Sequence, residues 1–129
     1  MARTAAEMVA EAKARIENLT VEQAAEEIER GEALLLDIRE PEERTTDGAI
    51  PESVSTPRGM LEFWADPTNP YHRDDLQPER RIILHCASGG RSALAAQTLQ
   101  ELGYTRVAHM DGDIKAWAAS GRPVTGGES

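Results

Sequence analysis

Cysteine is almost missing from this chain of 129 residues: Cys86 is the single one, so an internal disulfide is excluded. Aromatics are scarce too, with two Trp, two Tyr and one Phe. Neither G-x-G-x-x-G nor G-x-x-x-x-G-K-[ST] occurs, which removes the common dinucleotide and nucleotide sites. No apolar run is long enough for a membrane span or for the core of a secretion signal. Basic residues are in deficit, 14 Lys and Arg against 23 Asp and Glu, and the formal charge of -9 disfavours nucleic acid or an anionic membrane as partner. With 40% apolar residues the length suits one core, and the lone thiol suits a reducing compartment; a cytoplasmic single domain is expected.

What is present centres on Arg81-Ile82-Ile83-Leu84-His85-Cys86-Ala87-Ser88-Gly89-Gly90-Arg91-Ser92. An apolar strand gives way to a glycine-containing turn and then to a helix, with Cys86 at the junction. The first N–H groups of a helix lack intrahelical partners and carry the positive end of its dipole. An anion held there is solvated by the main chain, which favours a thiolate. Gly89 and Gly90 let N–H groups converge on one point. Arg91 would oppose the dipole at this position unless an anion is bound. The plainer reading of Cys86 is a small buried hydrophobe at a strand end; the loop chemistry favours a nucleophile.

The remaining segments alternate. Thr4 to Ile16 reads as an amphipathic helix, either lying on its own domain or pairing two copies, and the sequence does not choose. Thr20-Val21-Glu22-Gln23 has capping-box spacing and opens a helix that buries Ala24 and Ile28 and stops at Gly31. Ala33 to Ile38 is a continuous apolar run suited to a strand covered on both faces. Ser53 to Thr56 is a short strand, Gly59 to Ala65 a helical turn or two, and the prolines of Asp66 to Pro70 mark a loop. After the Arg81 to His85 strand come a helix over Ser92 to Leu102 closed by Gly103, a strand over Tyr104 to Met110, and a last helix over Ile114 to Ala119. Strands alternating with helices imply an α/β fold with a small, mostly parallel sheet and helices on both faces. Ligands in such folds bind beyond the carboxyl ends of the strands, where Cys86 lies.

Several short motifs now fall into order: Leu36-Asp37-Ile38-Arg39-Glu40-Pro41-Glu42-Glu43, Gly48-Ala49-Ile50-Pro51-Glu52-Ser53, Pro57-Arg58-Gly59, the Cys86 to Arg91 loop, and Asp111-Gly112-Asp113-Ile114-Lys115-Ala116-Trp117. Together they resemble the rhodanese superfamily of sulfurtransferases, over Leu19 to Val124. Residues 19–125 are then expected to form the rhodanese-like domain, with residues 1–18 as a helical extension and 126–129 as a tail. Ala49 stands where the family usually has histidine, and Asp113 where it commonly has a second glycine; the first bears on turn stability, the second on the backbone or charge near the site.

The resemblance implies two-step transfer of a sulfane sulfur. Cys86 attacks a small anionic donor such as thiosulfate, and a persulfide is held by the N–H groups of Ala87, Ser88, Gly89, Gly90, Arg91 and Ser92. With no second cysteine, the acceptor comes from outside: cyanide, a small thiol or a protein thiol. Arg91 would orient the donor. Arg58 either faces the same cleft or is an exposed arginine without a role, and Asp37 and Arg39 hold the architecture. Strand alternation points His85 away from Cys86, as scaffold rather than base. His72 and His109 share no ligand spacing, so no metal is expected, and no cofactor is implied. Two other readings compete. A phosphatase or arsenate reductase is suggested by His85-Cys86 and Arg91, but only four residues separate the last two, a ring better matched to one added sulfur than to a tetrahedral oxyanion. A non-catalytic rhodanese-like interaction module is the other, and the retained Cys86, Gly89 and Arg91 argue against it.

Overall fold

The computed structural model describes residues 2–112 and 114–125; Asp113 and the expected tail at 126–129 lie outside the described residues. Among these residues the order is α1 (Ala5–Arg15), β1 (Glu17–Leu19), α2 (Val21–Glu29), β2 (Leu34–Asp37), α3 (Pro41–Asp47), β3 (Val54–Ser55), a 3-10 turn (Arg58–Met60) running into α4 (Leu61–Ala65), β4 (Ile82–His85), α5 (Gly90–Glu101), β5 (Val107–Met110) and α6 (Ile114–Ala119). Thr4 and Thr20 each open a helix with a reciprocal capping box, to Glu7 and to Gln23. Gly31 and Gly103 take positive φ just past α2 and α5, the conformation that lets the chain leave a helix sharply.

The five strands lie in the order β1-β5-β4-β2-β3, and every pairing is parallel. Alternate residues of each strand go to opposite faces. On one face Leu36, Ile82, Leu84 and Val107 pack under Ala12 of α1, Leu61 of α4, and Ala93, Ala96 and Leu99 of α5. On the other, Leu35, Ile83, Ala108 and Met110 meet Ala24, Ala25 and Ile28 of α2 and Ile114 and Trp117 of α6. Coverage of both faces is why the central strands read as unbroken apolar runs rather than as alternation.

Two elements differ from expectation. Strand β1 pairs with β5 through Glu17↔Ala108 and Leu19↔Met110, while α1 lies along α5 with Ala12 fully buried, the first of the two placements the sequence left open for that helix. A three-residue strand with one apolar side chain leaves no periodicity to read. Helix α3 went unassigned for a related reason, since none of its residues is buried. It starts because Pro41 suits the first helical position and the Glu43 carboxylate accepts the Glu40 N–H at 3.0 Å. Ala49, in place of a histidine, is buried and pinned through its main chain, exchanging two hydrogen bonds of 2.7 Å with Thr125.

Beyond the carboxyl end of β2 sits a buried charge cluster. Arg39 donates to both oxygens of Asp37, Nε to Oδ1 at 3.0 Å and Nη2 to Oδ2 at 2.9 Å, and also to the Gly48 carbonyl at 2.8 Å. Arg44 adds a bond to Asp37 Oδ2 at 2.8 Å and one to Ser53 Oγ at 2.9 Å. Burial pushes the Asp37 carboxyl upward, but hydrogen bonds and charge from Arg39 outweigh it and hold the group below its ordinary value. Asp37 and Arg39 thus tie β2 to the turn after α3. No helix among the described residues is long and apolar enough to cross a membrane.

Replacing Asp37 with Ala should be costly, because it leaves the Arg39 guanidinium, 1% exposed, without its counter-ion. A loss of about 3–5 kcal/mol in denaturant unfolding is expected, a large part of a typical domain's stability.

Candidate active site

Cys86 follows β4 directly, and its sulfur stands at the start of α5. The residue that caps this helix is Gly89, at φ 100°, which has no side chain to offer the first turn. Cys86 Sγ takes over that role: it accepts the N–H of Gly89 at 3.2 Å and of Ser92, the third helical residue, at 3.3 Å. The side chain is nonetheless only 1% exposed. The plain reading and the functional one therefore describe the same atom, a packed sulfur that is also held by main-chain donors.

Ser92, His109 and Asn18 continue this polar chain into the protein. The Cys86 thiol donates to Ser92 Oγ at 3.5 Å, Ser92 Oγ lies 2.9 Å from His109 Nδ1, and His109 Nε2 lies 2.7 Å from Asn18 Oδ1. Spacing in the sequence gave no hint of this group. His109 looks like an interruption of the apolar run Val107-Ala108-His109-Met110, yet its place on the strand turns it toward α5, and Asn18 arrives on β1, 91 residues away in sequence.

Arg91 is engaged by a partner that sequence reasoning did not identify. Its Nη1 and Nη2 donate to the two oxygens of Glu43 on α3, at 2.7 and 2.9 Å. This pairing lowers the Glu43 carboxyl from 4.5 to about 2 and raises Arg91, which the Cys86 sulfur also helps to keep charged. Two of five guanidinium N–H groups are spent on Glu43, and the fork keeps others for an anion. Beside the loop opens a hollow of about 480 Å³ lined by Ala87, Ser88, Arg39, Asp47, Ile114 and Lys115, among others.

Arg58 is not brought to this place. It pairs with Glu62 at 2.8 Å, donates to Thr98 Oγ1 at 3.2 Å, and lines a separate hollow between α1 and the middle of α5. The reason is topological: the 3-10 turn carrying Arg58 runs into α4, which packs against α5, and Arg58 reaches Thr98 in the later part of that helix rather than its first turn. His85 faces away from the sulfur. Its Nδ1 donates to the Cys86 carbonyl at 3.3 Å, while Nε2 stands 3.7 Å from Asp37 Oδ2, too far for a hydrogen bond. Burial lowers its protonation, and the ring is neutral. His72 Nε2 donates to the Leu76 carbonyl at 2.7 Å, remote from the loop.

Two substitutions separate what each glycine does. A Cβ on Gly89 would sit at positive φ and 3.0 Å from Asp111 Oδ1, whereas one on Gly90 meets only Val9 Cγ2 at 3.8 Å. Gly89→Ala should cost on the order of 1–2 kcal/mol or more in chemical denaturation and disturb the cradle, while Gly90→Ala should be neutral or slightly stabilising. The Glu43–Arg91 pair predicts a pH signature as well. Because the folded-state value lies below the ordinary 4.5, its contribution is present above that pH and is lost as pH falls toward about 2. A Glu43→Gln variant should be less stable than the parent at neutral pH and converge with it in acid, as read by thermal melts across that range.

The rhodanese-like domain family matches residues 20–120. A protein called sulfurtransferase from Allochromatium vinosum is 33% identical over 97 residues, covering 75% of this chain and 82% of that one. In other curated relatives the match spans only 27% to 63% of their length. Among solved structures, a Rhodopseudomonas palustris protein described as of unknown function and a possible tyrosine phosphatase is 42% identical, with a TM-score of 0.90, covering 97% of this chain and 96% of that one. The polysulfide-sulfur transferase homodimer of Wolinella succinogenes is 27% identical, with a TM-score of 0.75 over 93% of this chain and 85% of its own. With its parallel sheet, its cysteine loop at the start of α5 and a family match across most of its length, this chain belongs to the rhodanese superfamily as a single rhodanese-like domain.

Proposed function

We propose that this protein is a sulfurtransferase, moving a sulfane sulfur from thiosulfate or a similar small anionic donor to cyanide or a thiol by way of a persulfide on Cys86. The observation that carries this reading is the pair of amides, from Gly89 and Ser92, directed at Cys86 Sγ. In the first displacement the thiolate attacks the donor's outer sulfur, the donor's sulfur–sulfur bond breaks, and sulfite leaves with the electron pair. In the second, an external nucleophile attacks the terminal sulfur of the persulfide and Cys86 departs as thiolate. Both steps start or end on a sulfur anion that the cradle solvates, so the same donors serve twice.

Ala87 and Ser88 line the hollow from which a donor approaches, Arg91 orients its anionic end while steadied by Glu43, and Gly89 and Gly90 allow the tight curl. Asp37 and Arg39 keep the neighbouring turn in place. The acceptor is external because the chain has one thiol, and a reducing cytoplasm is the compartment that keeps it free. Relatives called sulfurtransferases support the reading at the level of reaction class.

A second reading, phosphate-ester hydrolysis, draws on the description of the Rhodopseudomonas palustris relative. Against it stands the loop itself. Sγ already takes two amides and only four residues span Cys86 to Arg91, which leaves less room for a tetrahedral oxyanion than for one sulfur atom.

Intact mass after brief exposure to thiosulfate should show one added sulfur, removed by cyanide with formation of thiocyanate. Cys86→Ala should abolish both while the protein stays folded, its melting point lowered only by the loss of the sulfur cap on α5, about 1 kcal/mol. Phosphate release from an aryl phosphate without thiocyanate formation would decide for the second reading.

A further inference from the structure

A thiol that is 1% exposed has almost no water to take its proton, so ionising Cys86 calls for an acceptor inside the protein. The polar chain behind the sulfur, unused by the transfer steps, has a direction that Asn18 settles. The Asn18 amide nitrogen donates to the carbonyls of Lys13 and Ile16, at 2.9 and 3.1 Å, so its oxygen is the atom facing His109 Nε2 at 2.7 Å. An oxygen can only accept there, and Nε2 therefore carries a proton. In the neutral ring the lone pair is then on Nδ1, 2.9 Å from Ser92 Oγ. The Ser92 hydroxyl has one other acceptor, the Gly89 carbonyl at 3.2 Å, and the imidazole nitrogen is the nearer. Donating inward leaves the oxygen's lone pairs for the Cys86 thiol at 3.5 Å.

The geometry points to His109 as the resting place of the Cys86 proton: the thiol proton passes to Ser92 Oγ as the Ser92 proton passes to His109 Nδ1. This rests on Cys86 being the nucleophile. One S–H and one O–H bond break, one O–H and one N–H bond form, and neither an oxidant nor a solvent proton is involved. The product is a thiolate and an imidazolium joined by the hydroxyl, which now donates to Sγ beside the amides of Gly89 and Ser92, while Nε2–H stays on Asn18. Burial lowers the proton affinity of His109 and keeps the ring neutral, lone pair free, while Cys86 is a thiol. Once formed, the thiolate supplies the charge that holds the imidazolium in place.

The charged groups facing the ring come from the turn after its own strand and from α1. Asp111, after β5, favours the imidazolium and Lys13 of α1 opposes it; they are ion-paired with each other at 3.1 Å, which blunts both. Cys86, beyond β4, is thus the partner whose charge changes. His109 touches no substrate, and its role is that of a positioning residue acting through Ser92.

The test follows His109 by imidazole nitrogen NMR in the wild type and in Cys86→Ala, and the thiolate by its ultraviolet absorbance, which only one residue can produce. Removing the sulfur should cut the imidazolium population of His109 at neutral pH about tenfold, the scale expected for an opposite charge nearby. His109→Asn keeps an acceptor for the Ser92 hydroxyl but cannot store a proton, and its thiolate absorbance at neutral pH should fall by a similar factor with circular dichroism unchanged. An unchanged His109 titration in Cys86→Ala would overturn the relay, even if His109→Asn failed to fold. Full thiolate absorbance in a folded His109→Asn would overturn it as well. Neither readout uses turnover, so a missing thiocyanate signal alongside intact coupling would count against the sulfur donor and not against the relay.

Discussion

The contact between Cys86 Sγ and the amides of Gly89 and Ser92 is the constraint around which this domain's function is arranged. A helix start must find partners for its free N–H groups, and in most helices a serine, threonine or aspartate side chain supplies them. Here the cap is glycine and the acceptor is a sulfur delivered by the preceding strand. The element that stabilises the helix is thereby the atom to which the proposed chemistry is assigned. Strand β4 lies in the middle of the sheet, between β5 and β2, so the sulfur is set by the most buried part of the fold.

Charge is handled pairwise around that point despite the overall acidic balance. Arg39 is matched to Asp37, Arg91 to Glu43 and Lys13 to Asp111. Glu43 has a double attachment, accepting the Glu40 amide at the start of α3 as well as the Arg91 fork. Helix α3, with no buried residue, is thus tied to the site by polar contacts rather than by packing. These pairings keep cations near the loop, Arg39 among them lining the hollow, without leaving the loop strongly positive.

Family membership and mechanism rest on different features. The sheet order, the crossover helices and the run of short motifs define the superfamily, and a fold of this kind by itself assigns no reaction. The proposed reaction rests on the loop: its length, its two amides on sulfur, and the hydroxyl and imidazole behind it. The N-terminal helix belongs to this account too, since Val9 lies against Gly90 and Lys13 beside Gly89. It covers one side of α5.

By itself the sequence determined the architecture and marked the cysteine loop as the candidate site. The capping spacing at Thr20, the glycines after α2 and α5, and the unbroken apolar runs at β2 and β4 are local signals, and each produced the element it implied. Cys86 and its loop are contiguous and could be read the same way. Strand β1 and helix α3 could not, because their stability comes from an edge pairing and from polar ties rather than from apolar periodicity. What only tertiary structure decided is which distant side chains meet the loop. Glu43, His109 and Asn18 are brought to it by strand order and helix packing, and Arg58 is carried away from it by the same packing. Hydrogen bonds across such separations depend on directions fixed only when the sheet closes, and no local pattern in the chain encodes them.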